Sequence, residues 1–333
     1  MRNTLLSLLA TTLLLVPAAL ATPAEAAEME IRFSHVNTDN TPKGYAANRF
    51  AELAEQYTDG RVKVAVFPSG QLFGDGEEME ALLMNDVQII APSLSKFQRY
   101  TDKLQVFDLP FLFSCVDAVT KFQQSDLGKE LLNSIKDRGY TGLGYIHNGM
   151  KQLSAHRAIR KPEDAKGLTF RTQPSEVIQD YFRQMGASPQ SLAFSEVYQA
   201  LQTGVIGGQE NSWTSIYTMR FFEVQEYVME TNHGMMSFMI TVATNWWESL
   251  PDDIRDALYR AAVEAADEAN KAADEMHQKN RQNIVEAGGT EIITFTPEEI
   301  AVWREHMRPV WDKYRDAIGS DLIEAAEAAN DAC

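Results

Sequence analysis

Hydrophobic and polar positions along this chain change period again and again. Glu30 to Val36, E-I-R-F-S-H-V, alternates with period two, and the polar loop NTDNTPKG then leads into YAANRFAELAEQYTDG, whose apolar positions recur with helical spacing. The succession repeats. RVKVAVFPS predicts a second strand, GDGEEMEALLMND a helix with Gly74 and Gly76 near its start, and VQIIAPS a short buried strand. Strand-helix-strand units of this kind build parallel sheet, so the fold class is α/β. Further strands are expected at TGLGYIH, at LTFRT, around Val205 to Ile206 and at SFMITVAT, with helices at GKELLNSIKDRG, PSEVIQDYFRQMG and SEVYQALQTG.

Beyond Pro251 the pattern changes. From PDDIRDALYR to NIVEAGG the chain is rich in Ala and Glu and ends on paired glycines, which predicts one long helix, without the strict apolar heptad of a coiled coil. A helix of that length suits a bridge between two lobes. TPEEIAVWREHMRPVWDKYRDAI opens with Thr296, Pro297 and Glu299, a capping box, and predicts a second amphipathic helix. No repeat or low-complexity linker divides the chain. The lobes are therefore expected to be discontinuous, residues 27–148 with about 237–276 in one and 149–236 with about 277–333 in the other, with a central ligand cleft between mixed sheets.

Composition narrows the setting. The chain has 333 residues, enough for two ordinary cores, and its first residues combine Arg2, an apolar run from Leu5 to Val16, and Ala-rich cleavage sites after Ala21 or Ala26. We read residues 1–26 as a secretory signal peptide, which places the mature protein in a periplasm. Lys and Arg total 30 and Asp and Glu 47, a net charge of -17 that argues against a nucleic-acid surface. Attraction of an anion must then be local. Cys115 lies in the apolar stretch FLFSC and Cys333 is the last residue, a poor basis for a disulfide framework.

Catalytic and cofactor constellations are thin. The chain has no G-x-S-x-G elbow, P-loop, H-E-x-x-H pair or C-x-x-C motif, its histidines lack metal-ligand spacing, and G-D-G is too little for a dinucleotide fingerprint. Glu77 and Glu78, adjacent on a helix expected to be exposed, point in different directions. No catalytic residue, cofactor or metal is expected.

One residue stands out. In GLTFRTQPS, Leu168 and Phe170 alternate with Thr169 as in a half-buried strand, and Arg171 follows directly before Pro174 ends the run. A buried guanidinium is costly unless paired, so it has either a fixed acidic partner in the protein or one supplied by a ligand.

The segments NGMKQLSAHRAIRKPEDAKGLTFRT, AFSEVYQALQTGVIGGQEN and TNHG, with FSHVNTDNTPKG, QLFGDGEEMEALL, IIAPSLSKF and FDLPFLF, occur in an order that resembles the solute-binding subunits of TRAP transporters, the tripartite ATP-independent periplasmic family. The resemblance covers essentially the whole mature chain and is nearest the DctP-like C4-dicarboxylate branch. It implies a two-lobe periplasmic binding protein, not an enzyme, that closes on a small organic acid anion and delivers it to TRAP membrane permease subunits; we expect a monomer. It also implies that Arg171 forms a bidentate salt bridge with the ligand carboxylate, which a planar guanidinium can orient as well as neutralise. Asn211 in GGQEN would assist. Lys151 in NGMK falls at a cationic position that is arginine in the sialic-acid branch, and Ser93 stands where that branch has an acidic residue; both departures weaken a sialic-acid assignment. For the far carboxylate of a dicarboxylate, Lys43 in NTPKG is the leading candidate and Lys151 the next, while His233, Trp213 and Phe194 are candidate lining residues. Two alternatives remain: the same fold holding a sugar acid, a 2-oxo acid or an aromatic acid, and a binding protein that presents its ligand to a sensor.

Overall fold

The computed structural model describes residues 28–333, and the leader expected over 1–26 lies outside the described residues. The strands are β1 (Met29–Ser34), β2 (Val62–Phe67), β3 (Ile89–Ile90), β4 (Tyr140–Ala155), β5 (Thr169–Thr172), β6 (Ser188–Ser191), β7 (Gly208–Ser212), β8 (Tyr227–Met229), β9 (Met235–Ala243) and β10 (Glu291–Ile293). Their order is β2-β1-β3-β9-β4-β7-β5-β6, with β8 joining β4 to β10. The strands β2, β1 and β3 are mutually parallel, as are β7, β5 and β6, and the antiparallel pair β9 and β4 connects the two trios. The α/β class and the mixed sheet are as the sequence implied.

Strand β4 is longer than its period predicts. TGLGYIH marks only its first half, which pairs with β9; from Lys151 to Ala155 it pairs with β7 instead. Between those halves the register slips at His147 to Met150, where Gly149 has φ +96°. A Cβ there would lie 2.0 Å from the His277 ring, so this kink takes only glycine. The strand expected at Val205 to Ile206 lies two residues later, as β7, and β6, β8 and β10 carry too few alternating apolar residues to announce themselves.

Helix Asp252–Ala287 is continuous over 36 residues. Ala261, Ala262, Ala265, Ala266 and Ala269 form a buried stripe against Ala46, Ala47 and Ala54 of helix Pro42–Tyr57, together with β1 and β9. Small side chains allow these elements to approach closely, and Arg49 closes the rim on Glu268 at 2.8 Å. Helix Pro297–Ile318 begins at the predicted capping box: Glu299 N–H donates to Thr296 Oγ1 at 3.3 Å and Thr296 N–H to Glu299 Oε2 at 2.8 Å. A second core cluster joins Leu104 to Phe113 with Val177 to Met185 and with Trp303 to Ala329, so it draws on segments from both expected lobes.

The cysteines correct our expectation. Cys115 and Cys333 form a disulfide across 218 positions. Spacing concealed it because the last helical turns fold back onto helix Val116–Gln124, where Asn330 accepts from Ser114 N–H at 2.8 Å and donates to Leu112 O at 2.8 Å. A bond that closes so long a loop is worth about 2–4 kcal/mol in typical proteins. We predict that Cys333→Ser lowers the thermal unfolding midpoint by several degrees and that reductant brings the wild type to the same value; coincident melting curves without reductant would contradict a stapling role.

Candidate ligand-binding cleft

The carboxyl ends of the two parallel trios face one cavity, the place where open α/β sheets gather their ligand-binding loops. Val36, Asn37 and Lys43 follow β1, Asp75 follows β2, and Ser93 and Lys96 follow β3. From the other trio come Arg171 within β5 and Gln173 just after it, Phe194 after β6, Asn211 near the end of β7 and Ser215 in the helical turn that follows. Met236 and Phe238 of β9 form the wall between them. The cavity's empty volume, counting space open to solvent, is about 320 Å³. A larger groove, about 1550 Å³, runs past Trp213, His277 and Arg281, but the buried cations do not converge there.

Lys43 is fixed by its helix. Thr41 caps helix Pro42–Tyr57 by accepting from Gly44 N–H at 3.2 Å, Pro42 opens the first turn, and Lys43 follows with 1% of its surface exposed. Its Nζ lies 3.5 Å from the centre of the Phe238 ring, and among the described residues no carboxylate pairs with it. Burial pulls its pKa down from 10.5 to about 7. Behind it, His35 is fully buried and burial drives its ring to about 3, so it stays neutral.

Arg171, 2% exposed, donates from Nε to Leu192 O at 3.0 Å, and its Nη2 approaches Asp75 only to 3.8 Å. It therefore does have an acidic neighbour, but a loose one. Register pairs Arg171 with Gln209 of β7, and Gln209 Oε1 accepts from Asn211 Nδ2 at 2.8 Å, which ties Asn211 to the arginine's strand. Phe194 lies over the guanidinium, 5.9 Å from ring centre to Cζ. Ser93 meets Gln173 across the cavity.

Lys151 and His233 fall elsewhere. Lys151 Nζ is 3.1 Å from Glu210 Oε1 and 3.9 Å from Asp108, while His233 Nε2 is 2.8 Å from Glu210 Oε2 and its Nδ1 is 2.7 Å from Thr231 Oγ1. Tyr181 also donates to Glu210. Burial would raise the Glu210 carboxyl, but Lys151 and His233 outweigh it and hold it well below the usual range. Glu210 finds its partners within this cluster, which does not line the cavity. Trp213 lines the larger groove, its ring 5.5 Å from the Arg281 guanidinium.

Sequence reasoning missed Asp75, Lys96 and Gln173, and placed Glu78 on an exposed face. Glu78 is fully buried, because its helix packs against the segment after β3 and the carboxylate meets Lys96 at 2.5 Å. The available signal was positional: Asp75 and Lys96 each follow a strand of the first parallel trio, on the side that binds.

Comparison with known proteins gives the family. A C4-dicarboxylate-binding periplasmic protein DctP of Shewanella loihica is 49% identical over 306 residues, covering 92% of this chain and 91% of that protein. One of the same description from Rhodobacter capsulatus is 43% identical, covering 93% of this chain and 94% of that one. The crystal structure of a TRAP periplasmic solute binding protein from Shewanella oneidensis with bound succinate superposes with a TM-score of 0.89 at 49% identity, over 91% of this chain and 99% of that one. Another, from Pseudomonas aeruginosa with bound L-malate, gives 0.84 at 44% identity, over 86% and 100%. The profile of bacterial extracellular solute-binding proteins, family 7, matches residues 33–317, and the chain belongs to that family.

Proposed function

We propose that this protein is the exported, monomeric solute-binding subunit of a TRAP transporter and that it captures a C4-dicarboxylate such as succinate, fumarate or malate for membrane permease subunits. As a member of a solute-binding family it is a transport component and not a catalyst. The observation that carries the ligand class is the pairing of Lys43 and Arg171 in one cavity, with Lys43 buried and without a carboxylate partner among the described residues. Burying an ammonium without a counter-ion is costly, and a ligand carboxylate beside Lys43 removes that cost. The start of its helix adds the positive end of the helix dipole and the Lys43 N–H, since Pro42 has no N–H and that of Gly44 is taken by Thr41. At the other side, Arg171 offers the planar fork that orients a carboxylate, with Asn211 beside it. Relatives and solved structures support the length of the ligand: those named above bind C4-dicarboxylates by their descriptions, or hold succinate or malate.

The two trios supply different cations, so a bridging dianion favours the closed arrangement and shifts the population toward it. Contacts between the two sides already frame that arrangement. Phe194 N–H donates to Asp75 at 3.0 Å, Glu176 N–H to Gln98 at 2.6 Å, and Ser175 and Gln105 meet at 2.7 Å.

Calorimetry on the signal-free protein tests this reading. Arg171→Ala is expected to cost about 2–5 kcal/mol of succinate binding, a loss of roughly thirtyfold or more; near-normal affinity would remove Arg171 from the site. Lys43→Ala is expected to weaken succinate much more than succinamate, which has the same length and one charge fewer, and equal weakening would rule out Lys43 as the far-end contact. Lys43 also sets a pH dependence. Its pKa is depressed to about 7 in the folded protein, so above that value the free cleft has shed a proton that bound dianion requires. Succinate affinity should therefore fall as pH rises beyond about 7, by at most about tenfold per unit, and Lys43→Ala should flatten the profile; a flat wild-type profile would contradict the coupling.

A further inference from the structure

The cleft contains a carboxylate of its own. Asp75 stands in the turn between Gly74 and Gly76 after β2, and its side chain is 9% exposed. One oxygen meets Lys96 Nζ; the other accepts from Phe194 N–H at 3.0 Å and lies 3.8 Å from Arg171 Nη2. Burial acts to raise its pKa, but Lys96 and Arg171 outweigh burial and hold the carboxyl below its ordinary range, so Asp75 is ionised at neutral pH. Glu78, fully buried, is the second carboxylate on Lys96, and burial pushes its pKa up. Three cations, Lys43, Lys96 and Arg171, thus share a small volume with two acids.

In so confined a space Coulomb energies are weakly screened, and one unit of charge decides between ligands of equal length. Selectivity is then served by a repulsive element as much as by an attractive one. We propose that Asp75 is a specificity-determining residue that limits the negative charge the cleft accepts: by occupying Lys96 and flanking Arg171, it takes away one unit of the positive charge that faces a ligand and so disfavours a trianion relative to a dianion of similar length. The proposal rests on the organic-acid reading above. Removing the charge does not strand Lys96, which keeps Glu78, and an asparagine carbonyl can still accept from Phe194 N–H. Asp75→Asn therefore changes charge while preserving the bridge between the two sides.

The test is calorimetric titration at pH 8 of the wild type and Asp75→Asn with succinate and with 3-phosphonopropionate, a near-isostere whose phosphonate is in large part doubly ionised at that pH, which brings it to three charges. The variant should improve the affinity for 3-phosphonopropionate relative to succinate by tenfold or more. Asp75→Ser, which also removes the charge, should move the ratio in the same direction and serves if the first variant does not fold; unfolding curves identify which variant is native. An unchanged or reversed ratio overturns the proposal, and so does a folded variant that has lost both ligands, since Asp75 would then be needed for binding itself. Failure of the wild type to bind succinate would instead overturn the dicarboxylate reading, a result separate from any change in ratio.

Discussion

Arg171 gives up its water and has in its place one hydrogen bond donated to the Leu192 carbonyl and a loose approach to Asp75. Lys43 gives up its water for the face of a phenyl ring. Cations left so poorly compensated in a protein interior are expensive, and a cleft that holds several of them stores an unmet demand for negative charge. The strand ends, caps and lobe contacts around the cavity serve to hold that demand in a fixed shape. The protein's overall charge of -17 makes the same point from outside, because the attraction of an anion has to be local.

A few residues away, the same ingredients are arranged to the opposite effect. Glu210 takes Lys151, His233 and Tyr181 as partners, and the His233 ring lies with Nε2 toward Glu210 and Nδ1 toward Thr231. These groups find their complements inside the protein, so the cluster does not offer a charge to a ligand. The alternation of β7 produces the difference: Gln209 and Asn211 face one way, toward Arg171 and the cavity, and Glu210 faces the other.

Joining two binding surfaces with one sheet imposes its own constraint. Strand β4 has to serve β9 and then β7, and it does so through a slip in register at Gly149, packed against His277 of the long helix. The strand, the glycine and the helix together form the connection between the two trios. The Ala stripe of the long helix clasps the first trio, and through Ile284 its later turns reach a further core formed with Trp213, Ile216 and Val228.

The sequence by itself determined the α/β class, the long helix, the capping box at Thr296 and the strand carrying Arg171, because each rests on local periodicity or local hydrogen bonding. It also made the buried arginine conspicuous, since a charge at the end of an apolar strand is a local contradiction. Only the tertiary structure decided which charges are spent. Lys43 and Lys151 look alike in sequence, yet one faces a cavity and the other a carboxylate, and Glu78, adjacent to an exposed Glu77, is buried against Lys96. Cys115 and Cys333 pair for the same reason. Compensation of charge and closure of long loops depend on residues 18 to 218 positions apart, and no pattern along the chain records where folding will bring them.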